Sequence, residues 1–311
     1  PAFSFSLLPS IFGIMTKPIQ APDETKCFSP RCRSIIKTQV SKKAILFIHG
    51  FPATPQCWEF LSAWFFRKGY DVYAPLLPGF GTNPKDLEHT GFDEWYGYAL
   101  QKELELRNRY ETLFVVGHSM GGAITLKIVE ESNDLPDGAV TISAPVVYNS
   151  RKDGITTNKL YFLSPLLAKL RPAYHTHMTS GRTMENADGH EDWTGYNGLY
   201  VRQGMTLVNN LPLIRQQLST ITVPILSIHD ESDHTVPVGN LKIIKDEAHG
   251  TTWETHLAPG FHHTYHCLPM YHTIQGEIAE RIESFFQANT PSSLQKSQGD
   301  GILSPEKEHR S

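Results

Sequence analysis

The sequence predicts an α/β architecture built on a mostly parallel sheet, and three observations carry that expectation. The apolar runs Ala44 to Ile48, Leu113 to Val116 and Gly138 to Ile142 are continuous rather than alternating, which suits strands covered on both faces. Such runs alternate with stretches of helical spacing, in the order strand, helix, strand, helix, strand, helix, strand. Third, Leu113 to Val116 passes through Gly117-His118-Ser119-Met120-Gly121 into the helix-compatible run Ala123 to Glu130. A Gly-x-Ser-x-Gly between strand and helix is the form of a tight turn with the serine at its apex. Glycines two before and two after the serine leave room for a strained backbone and close strand–helix packing.

The elements follow in order. Pro18 to Arg33 is polar and proline-bearing and reads as a connection. Ser34 to Val40 is a candidate strand. Ala44 to Ile48 is the first buried strand and ends in the loop His49-Gly50-Phe51-Pro52. Pro55 to Lys68 carries Trp58, Leu61, Trp64 and Phe65 at helical spacing and is closed by Gly69. Asp71 to Ala74 is a short strand, and Pro75 to Gly81 is a Pro/Gly-rich loop. Phe92 to Tyr110 is a long helix with Phe92, Trp95, Leu100, Leu104 and Leu106 on its inner side.

After Gly138 to Ile142 the pattern changes. From Tyr148 to Thr220 there is no strand-like run; Leu160 to Leu170 and Leu207 to Leu218 look helical, and aromatics recur at Tyr161, Phe162, Tyr174, Trp193, Tyr196 and Tyr200. This reads as an inserted helical cap over residues 148–220. The sheet resumes at Val223 to Ile228. A helix over Val238 to Asp246, a strand around Trp253 to Leu257 and an amphipathic helix over Tyr271 to Ala288 close the fold. The expected organisation is an arm over 1–33, a core over 34–147 and 221–288, the cap, and a polar tail over 289–311 expected to be disordered.

Bulk properties exclude some classes of function. The chain has 311 residues, 40% of them hydrophobic and 19% charged, enough for a sizeable core. A net charge of -4 gives no electrostatic footprint for nucleic acid. Cys27, Cys32, Cys57 and Cys267 show no C-x-x-C spacing. Free thiols in a reducing, cytoplasmic compartment are the expectation, with a Cys27–Cys32 disulfide the alternative for an exported protein. The apolar stretch Pro1 to Met15 is too short to span a bilayer and has no basic leader region. Packing, contact with a lipid interface and the remnant of processing are all open to it.

A serine hydroxyl is a weak nucleophile until a histidine takes its proton, and the histidine needs a carboxylate to fix its tautomer. After Ile225 to Ile228, the acids Asp230, Glu231 and Asp233 compete for that place. Asp233 is favoured, because it lies far enough past the strand for the loop to turn back. For the base, His256, His262, His263, His266 and His272 compete. The spacing His262-His263-x-x-His266 does not match H-E-x-x-H and holds no acid, so no metal site is expected. An oxyanion would be held by the N–H groups of Met120, beside the serine, and Phe51, after His49-Gly50. His49 itself reads as a structural hydrogen-bonder.

These motifs in this order, His-Gly-Phe, Gly-His-Ser-Met-Gly, Asp233-x-x-Val236-Pro237 and His266-Cys267-Leu268-Pro269, resemble an α/β-hydrolase from about Lys43 to Phe286. Gly81-Thr82-x-Pro84, His89-Thr90-Gly91-Phe92-Asp93-Glu94-Trp95 and Ser143-Ala144-Pro145 are similar to bacterial carboxylesterases and monoacylglycerol lipases. The resemblance implies Ser119 as nucleophile, Asp233 as acid and His266 as base, with His263 the next choice. It implies hydrolysis of a small ester or lipid without cofactor, its acyl chain lying beneath the cap among Phe51, Met120 and cap aromatics. The chain departs from these relatives in a longer, more polar cap, in Tyr271 where many carry Asp, and in extra residues from Ala258 to Thr264. The same three groups could serve a thioester, a lactone, an amide or a carbon–carbon bond, and a silent binding domain is the rival from another class. A serine at the elbow argues against dehalogenase and epoxide hydrolase chemistry, which use an aspartate there.

Overall fold

Alternate residues of a strand face opposite sides of its sheet, so a continuous apolar run must be covered twice. The computed structural model describes residues 19–132, 134–171, 173–180, 193–249, 251–256 and 266–290, with side chains undescribed at 180 and 251–256. In chain order the larger elements begin with β1 (Ile35–Lys37), β2 (Lys43–Ile48), α1 (Glu59–Arg67), β3 (Asp71–Ala74), α2 (Pro84–Leu87) and α3 (Phe92–Arg107). Next come β4 (Thr112–His118), α4 (Met120–Glu131), β5 (Gly138–Ile142), β6 (Asn149–Ser150), β7 (Ile155–Thr156), α5 (Ser164–Leu170), β8 (Tyr174–Ser180) and β9 (Thr194–Leu199). The remainder are α6 (Val201–Gln217), β10 (Ile225–Asp230), α7 (Gly239–Glu247), β11 (Thr251–His256) and α8 (Gln275–Asn289).

The main sheet has the order β1-β3-β2-β4-β5-β10-β11. Only β1, on the edge, runs antiparallel to its neighbour; the other pairings are parallel. Ala44, Leu46 and Ile48 of β2 face a core shared with Trp95 and Leu106 of α3 and Ile124 and Ile128 of α4. Ile45 and Phe47 face the other side, with Leu61 and Phe65 of α1 and Ile278, Ile282 and Phe286 of α8. Phe114 of β4 stacks on Phe286 at 4.0 Å between ring centroids. The two-sided covering that the apolar runs require is thus met by α3 and α4 on one face and α1 and α8 on the other.

Several boundaries differ from the sequence expectation. Helix α3 stops at Arg107, where Asn108 caps it. The stretch before α1 is a 3-10 turn, Pro55–Trp58. The last helix begins at Gln275, after a separate turn at Leu268–Met270. The larger correction is in the insertion, which carries two antiparallel pairs, β6–β7 and β8–β9, beside its helices. His175, His177 and Met178 of β8 lie on the surface. A strand pair held by main-chain bonds, with β8 facing solvent and β9 burying the consecutive residues Thr194, Gly195 and Tyr196, leaves no apolar alternation for the sequence to display.

The insertion is tied to the core at identifiable points. Leu211 and Ile214 of α6 join the α3–α4 core. Thr206 Oγ1 accepts the Phe92 N–H at 3.1 Å, taking one of the free donors at the start of α3. The Tyr196 hydroxyl accepts the Thr82 N–H and donates to the Gly79 carbonyl, at 2.9 and 3.2 Å. Ahead of the sheet, Ile19, Cys27 and Phe28 pack on the same core, so this part of the arm is part of the folded body. The stretch Pro1 to Met15 and the tail over 291–311 lie outside the described residues.

Candidate active site

Strand β4 sits in mid-sheet between β2 and β5, and the chain reverses from it into α4 at Ser119. Ser119 has φ 54° and ψ -120°, a region that costs a side-chain-bearing residue strain. The flanking glycines have a geometric reason. A Cβ on Gly117 would lie 2.1 Å from the Gly121 carbonyl oxygen, and one on Gly121 would lie 2.0 Å from that of Ile48. The Ser119 N–H donates to the Ile142 carbonyl at 2.8 Å, which pins the turn to β5.

The loop after β2 passes directly against this turn. A Cβ on Gly50 would stand 3.1 Å from the Ser119 Cβ. That brings Phe51 beside the serine, while Met120 supplies the first N–H of α4. The opening N–H groups of a helix have no acceptor within it. The Phe51 ring is fixed against Phe80, Trp95 and Tyr200. His49 Nδ1–H donates to the Gly50 carbonyl at 3.0 Å, and Nε2 accepts from the Leu77 N–H at 3.1 Å. Burial lowers its pKa to about 4, so it stays neutral and serves as a brace for the loop.

Asp233 lies three residues past β10, and His266 follows β11 after residues 257–265. His266 Nδ1 donates to Asp233 Oδ2 at 2.7 Å. Asp233 Oδ1 accepts the N–H groups of Thr235 and Val236, each at 2.8 Å. Burial alone would raise the Asp233 carboxyl; His266 and His229 beside it outweigh that and hold it well below the usual range. Ser119, Asp233 and His266 are 8%, 5% and 7% exposed, so all three sit in a region that excludes most water. The competing acids are placed differently: Asp230 accepts the Ser232 N–H within its own turn at 2.7 Å, and Glu231 is exposed. Of the competing histidines, His272 is exposed and His256 is described by its backbone alone. His262 and His263 lie outside the described residues.

Two histidines without an assigned part in the sequence reading support this arrangement. His118 Nε2–H donates to the His266 carbonyl at 2.8 Å. Burial, then the neighbouring His266, lowers the His118 pKa to about 3, which keeps it neutral. His229 Nε2–H donates to the Val236 carbonyl at 2.7 Å and lies 3.5 Å from Asp233 Oδ2. Tyr271, buried, accepts the Cys267 N–H at 3.2 Å and so holds the main chain just after His266. The one sequence signal for His118 was its position inside the Gly-x-Ser-x-Gly pentapeptide. His229 gave none beyond its place at the end of β10.

The insertion reaches the same rim. The Tyr196 N–H donates to the Pro52 carbonyl at 3.1 Å, and Ala53 and Gly195 form an isolated antiparallel bridge. The Thr54 hydroxyl donates to the Thr194 carbonyl at 2.8 Å. Strand β9 therefore lies along the Phe51–Thr54 loop. The aromatics of the insertion divide: Tyr196 and Tyr200 are buried and Phe162 is exposed, so Phe162 lines no acyl pocket. None of the four cysteines is in a disulfide. Among the described residues, no group of metal-ligating side chains is assembled and no helix is long and apolar enough to cross a membrane.

A mostly parallel sheet with flanking helices, and a serine on a strained strand-to-helix turn at its carboxyl edge, define an α/β-hydrolase. The family model described as serine aminopeptidase, S33 matches residues 39–267. The chain belongs to that family. It is 31% identical over 200 residues to a thermostable monoacylglycerol lipase of Bacillus sp. (strain H-257), covering 64% of this chain and 74% of the relative. It is 32% identical over 87 residues to a carboxylesterase of Bacillus subtilis (strain 168), covering 28% of this chain and 35% of that protein. Among solved structures it is similar to one reported with two metagenome-derived lipolytic enzymes, LipS and LipT, with a TM-score of 0.68, 24% identity and coverage of 83% and 98%.

Proposed function

We propose that the protein is a serine hydrolase of carboxylic esters of acyl chains, working through an acyl-enzyme on Ser119. The observation that carries this reading is the 2.7 Å bond from His266 Nδ1 to Asp233, behind a serine held in a strained turn. With Nδ1–H committed to the carboxylate, Nε2 is the nitrogen with a free electron pair. It takes the Ser119 proton as Oγ attacks the ester carbonyl. The C–O bond to the alcohol then breaks, and His266 returns the proton to the departing oxygen. Water, deprotonated by the same histidine, cleaves the acyl-enzyme and restores the serine. Asp233 keeps the imidazole in one tautomer and stabilises the imidazolium formed in each half. The N–H groups of Phe51 and Met120 hold the oxyanion.

Residues 148–220 act in this reading as a cap over the acyl chain, with a lipid ester met at a lipid interface. The named relatives, a monoacylglycerol lipase and a carboxylesterase, support the ester as the bond cleaved. The test is turnover of p-nitrophenyl esters of increasing chain length by the wild type and by Ser119→Ala. The variant should keep its circular dichroism spectrum and lose turnover; activity above about a tenth of wild type would overturn the assignment.

A further inference from the structure

Among the described residues most large apolar side chains are buried, but the segment from Leu160 to Leu170 is an exception. Leu160 is 63% exposed, Phe162 73%, Leu166 58% and Leu170 72%, with Leu163 at the border of exposure. Leu163, Leu166 and Leu170 are three and four residues apart and share one side of α5 and the turn before it. An apolar stripe of this kind facing water calls for a partner.

The charges of the segment around it are mostly positive. Residues 151–171 carry Arg151, Lys152, Lys159, Lys169 and Arg171 against the single acid Asp153. Asp153 is already paired with Arg215 at 2.7 Å. The whole chain has net charge -4, so this surface is opposite in sign to the molecule that bears it. Beside the stripe, Ser150, Arg151, Thr156, Asn158, Lys159, Phe162 and their neighbours line a depression of about 440 Å³. Two cationic side chains thus share one hollow with an exposed aromatic ring.

We propose that this face docks on an anionic phospholipid bilayer, with Arg151 and Lys159 taking a phosphate headgroup while Leu163, Leu166 and Leu170 enter the acyl boundary. Apolar insertion flanked by Lys and Arg is the pattern of a segment lying in a membrane interface. Charge decides against a two-fold dimer through this face as the occupant. In a two-fold contact the same patch meets itself, which would set these cations against their own copies. The inference rests on the reading of the substrate as a lipid ester, which a bilayer would deliver.

The experiment is co-sedimentation of the full chain with vesicles of phosphatidylcholine alone and of phosphatidylcholine mixed with phosphatidylglycerol, beside size-exclusion chromatography. The wild type should bind the anionic vesicles more strongly, and high salt should weaken that binding. Arg151→Glu with Lys159→Glu, and separately Leu166→Ser with Leu170→Ser, should each lower partitioning by about tenfold or more. Turnover of p-nitrophenyl acetate should be unchanged in both, which also shows that they fold. Equal binding to both vesicles, or wild-type partitioning in both variants, overturns the proposal. So does a dimer lost on Leu166→Ser with Leu170→Ser, or binding of inorganic phosphate at these cations without vesicle binding. A wild type that binds vesicles yet turns over no ester overturns the catalytic reading and leaves this one standing.

Discussion

The His118 imidazole donates to the main-chain carbonyl of His266 at 2.8 Å, across 148 residues of sequence. His118 ends β4 immediately before Ser119, so one hydrogen bond links the serine turn to the segment that carries His266. Removing the donor should let the His266 backbone drift. His118→Phe is expected to lower kcat by about 10- to 100-fold with little change in KM, because small misplacements of catalytic groups are costly. His118→Gln, which can present an N–H near the same point, should recover part of the loss. Steady-state kinetics on a p-nitrophenyl ester decide it, and full kcat in His118→Phe would dismiss the role.

Asp233→Asn keeps the shape of the side chain but lets the imidazole take the wrong tautomer. The expected fall in kcat is roughly 10³- to 10⁴-fold. The same carboxylate contributes to stability with a definite sign. Its folded pKa is depressed by His266 and His229 against the opposing effect of burial. Its contribution is therefore present above the unfolded value of about 4 and lost as pH falls through the folded value. Wild type should lose more of its melting temperature than Asp233→Asn between pH 5 and pH 3; equal losses would contradict the assignment.

Glu130 has the opposite sign. Both its carboxylate oxygens are buried without a hydrogen-bond partner, and burial pushes its pKa up to about 9. A carboxyl raised in the fold is compatible with folding while protonated, and its contribution is lost as pH rises from the unfolded value near 4 through the folded one. Glu130→Gln should therefore raise the melting temperature at pH 8, by about 2–4 °C for each kcal/mol relieved. At pH 4 the two proteins should melt together. A variant less stable at pH 8 would show that the charge is compensated.

Gly121→Ala tests the packing behind the serine. The added methyl would lie 2.0 Å from the Ile48 carbonyl oxygen, a main-chain atom that cannot step aside without moving β2. The expected cost is about 3 kcal/mol, the upper end for an overpacked site. Low soluble yield and a fall in melting temperature should follow. Gly276→Ala, where nothing lies within 4 Å, should be neutral or slightly stabilising because the position is helical.

The sheet was legible because its apolar runs are short, bounded by polar turns and alternate with stretches of helical spacing, which suits strands covered on both faces. The Ser119 turn was legible because its two glycines are sterically required. Asp233 and His266 stand out as candidates by their positions after late strands, and in the structure a 2.7 Å bond joins the two. The β8–β9 pair was not legible: it is held through main-chain atoms, β8 faces water, and β9 buries Thr194 and Gly195 beside Tyr196, so its side chains show no apolar alternation. The parts of His118 and His229 were hidden for a related reason. Each donates to a carbonyl remote in the sequence or inside a loop, and a carbonyl leaves no mark in the identity of the residue that bears it.

Strand β9 meets the Phe51–Thr54 loop largely through main-chain groups, at Tyr196 with Pro52 and at Ala53 with Gly195. Bonds of that kind are indifferent to which side chains flank them. Residues along the insertion can therefore be exchanged, by selection or by design, without renegotiating its junction with the turn beside Ser119. Gly195 and Tyr196 are exceptions: a Cβ on Gly195 would lie 2.7 Å from the Pro52 carbonyl oxygen, and the Tyr196 hydroxyl is bonded to Thr82 and Gly79. The junction beside Ser119 is thus fixed mainly by backbone and by these two residues, and it leaves the exposed side chains of the insertion free to change.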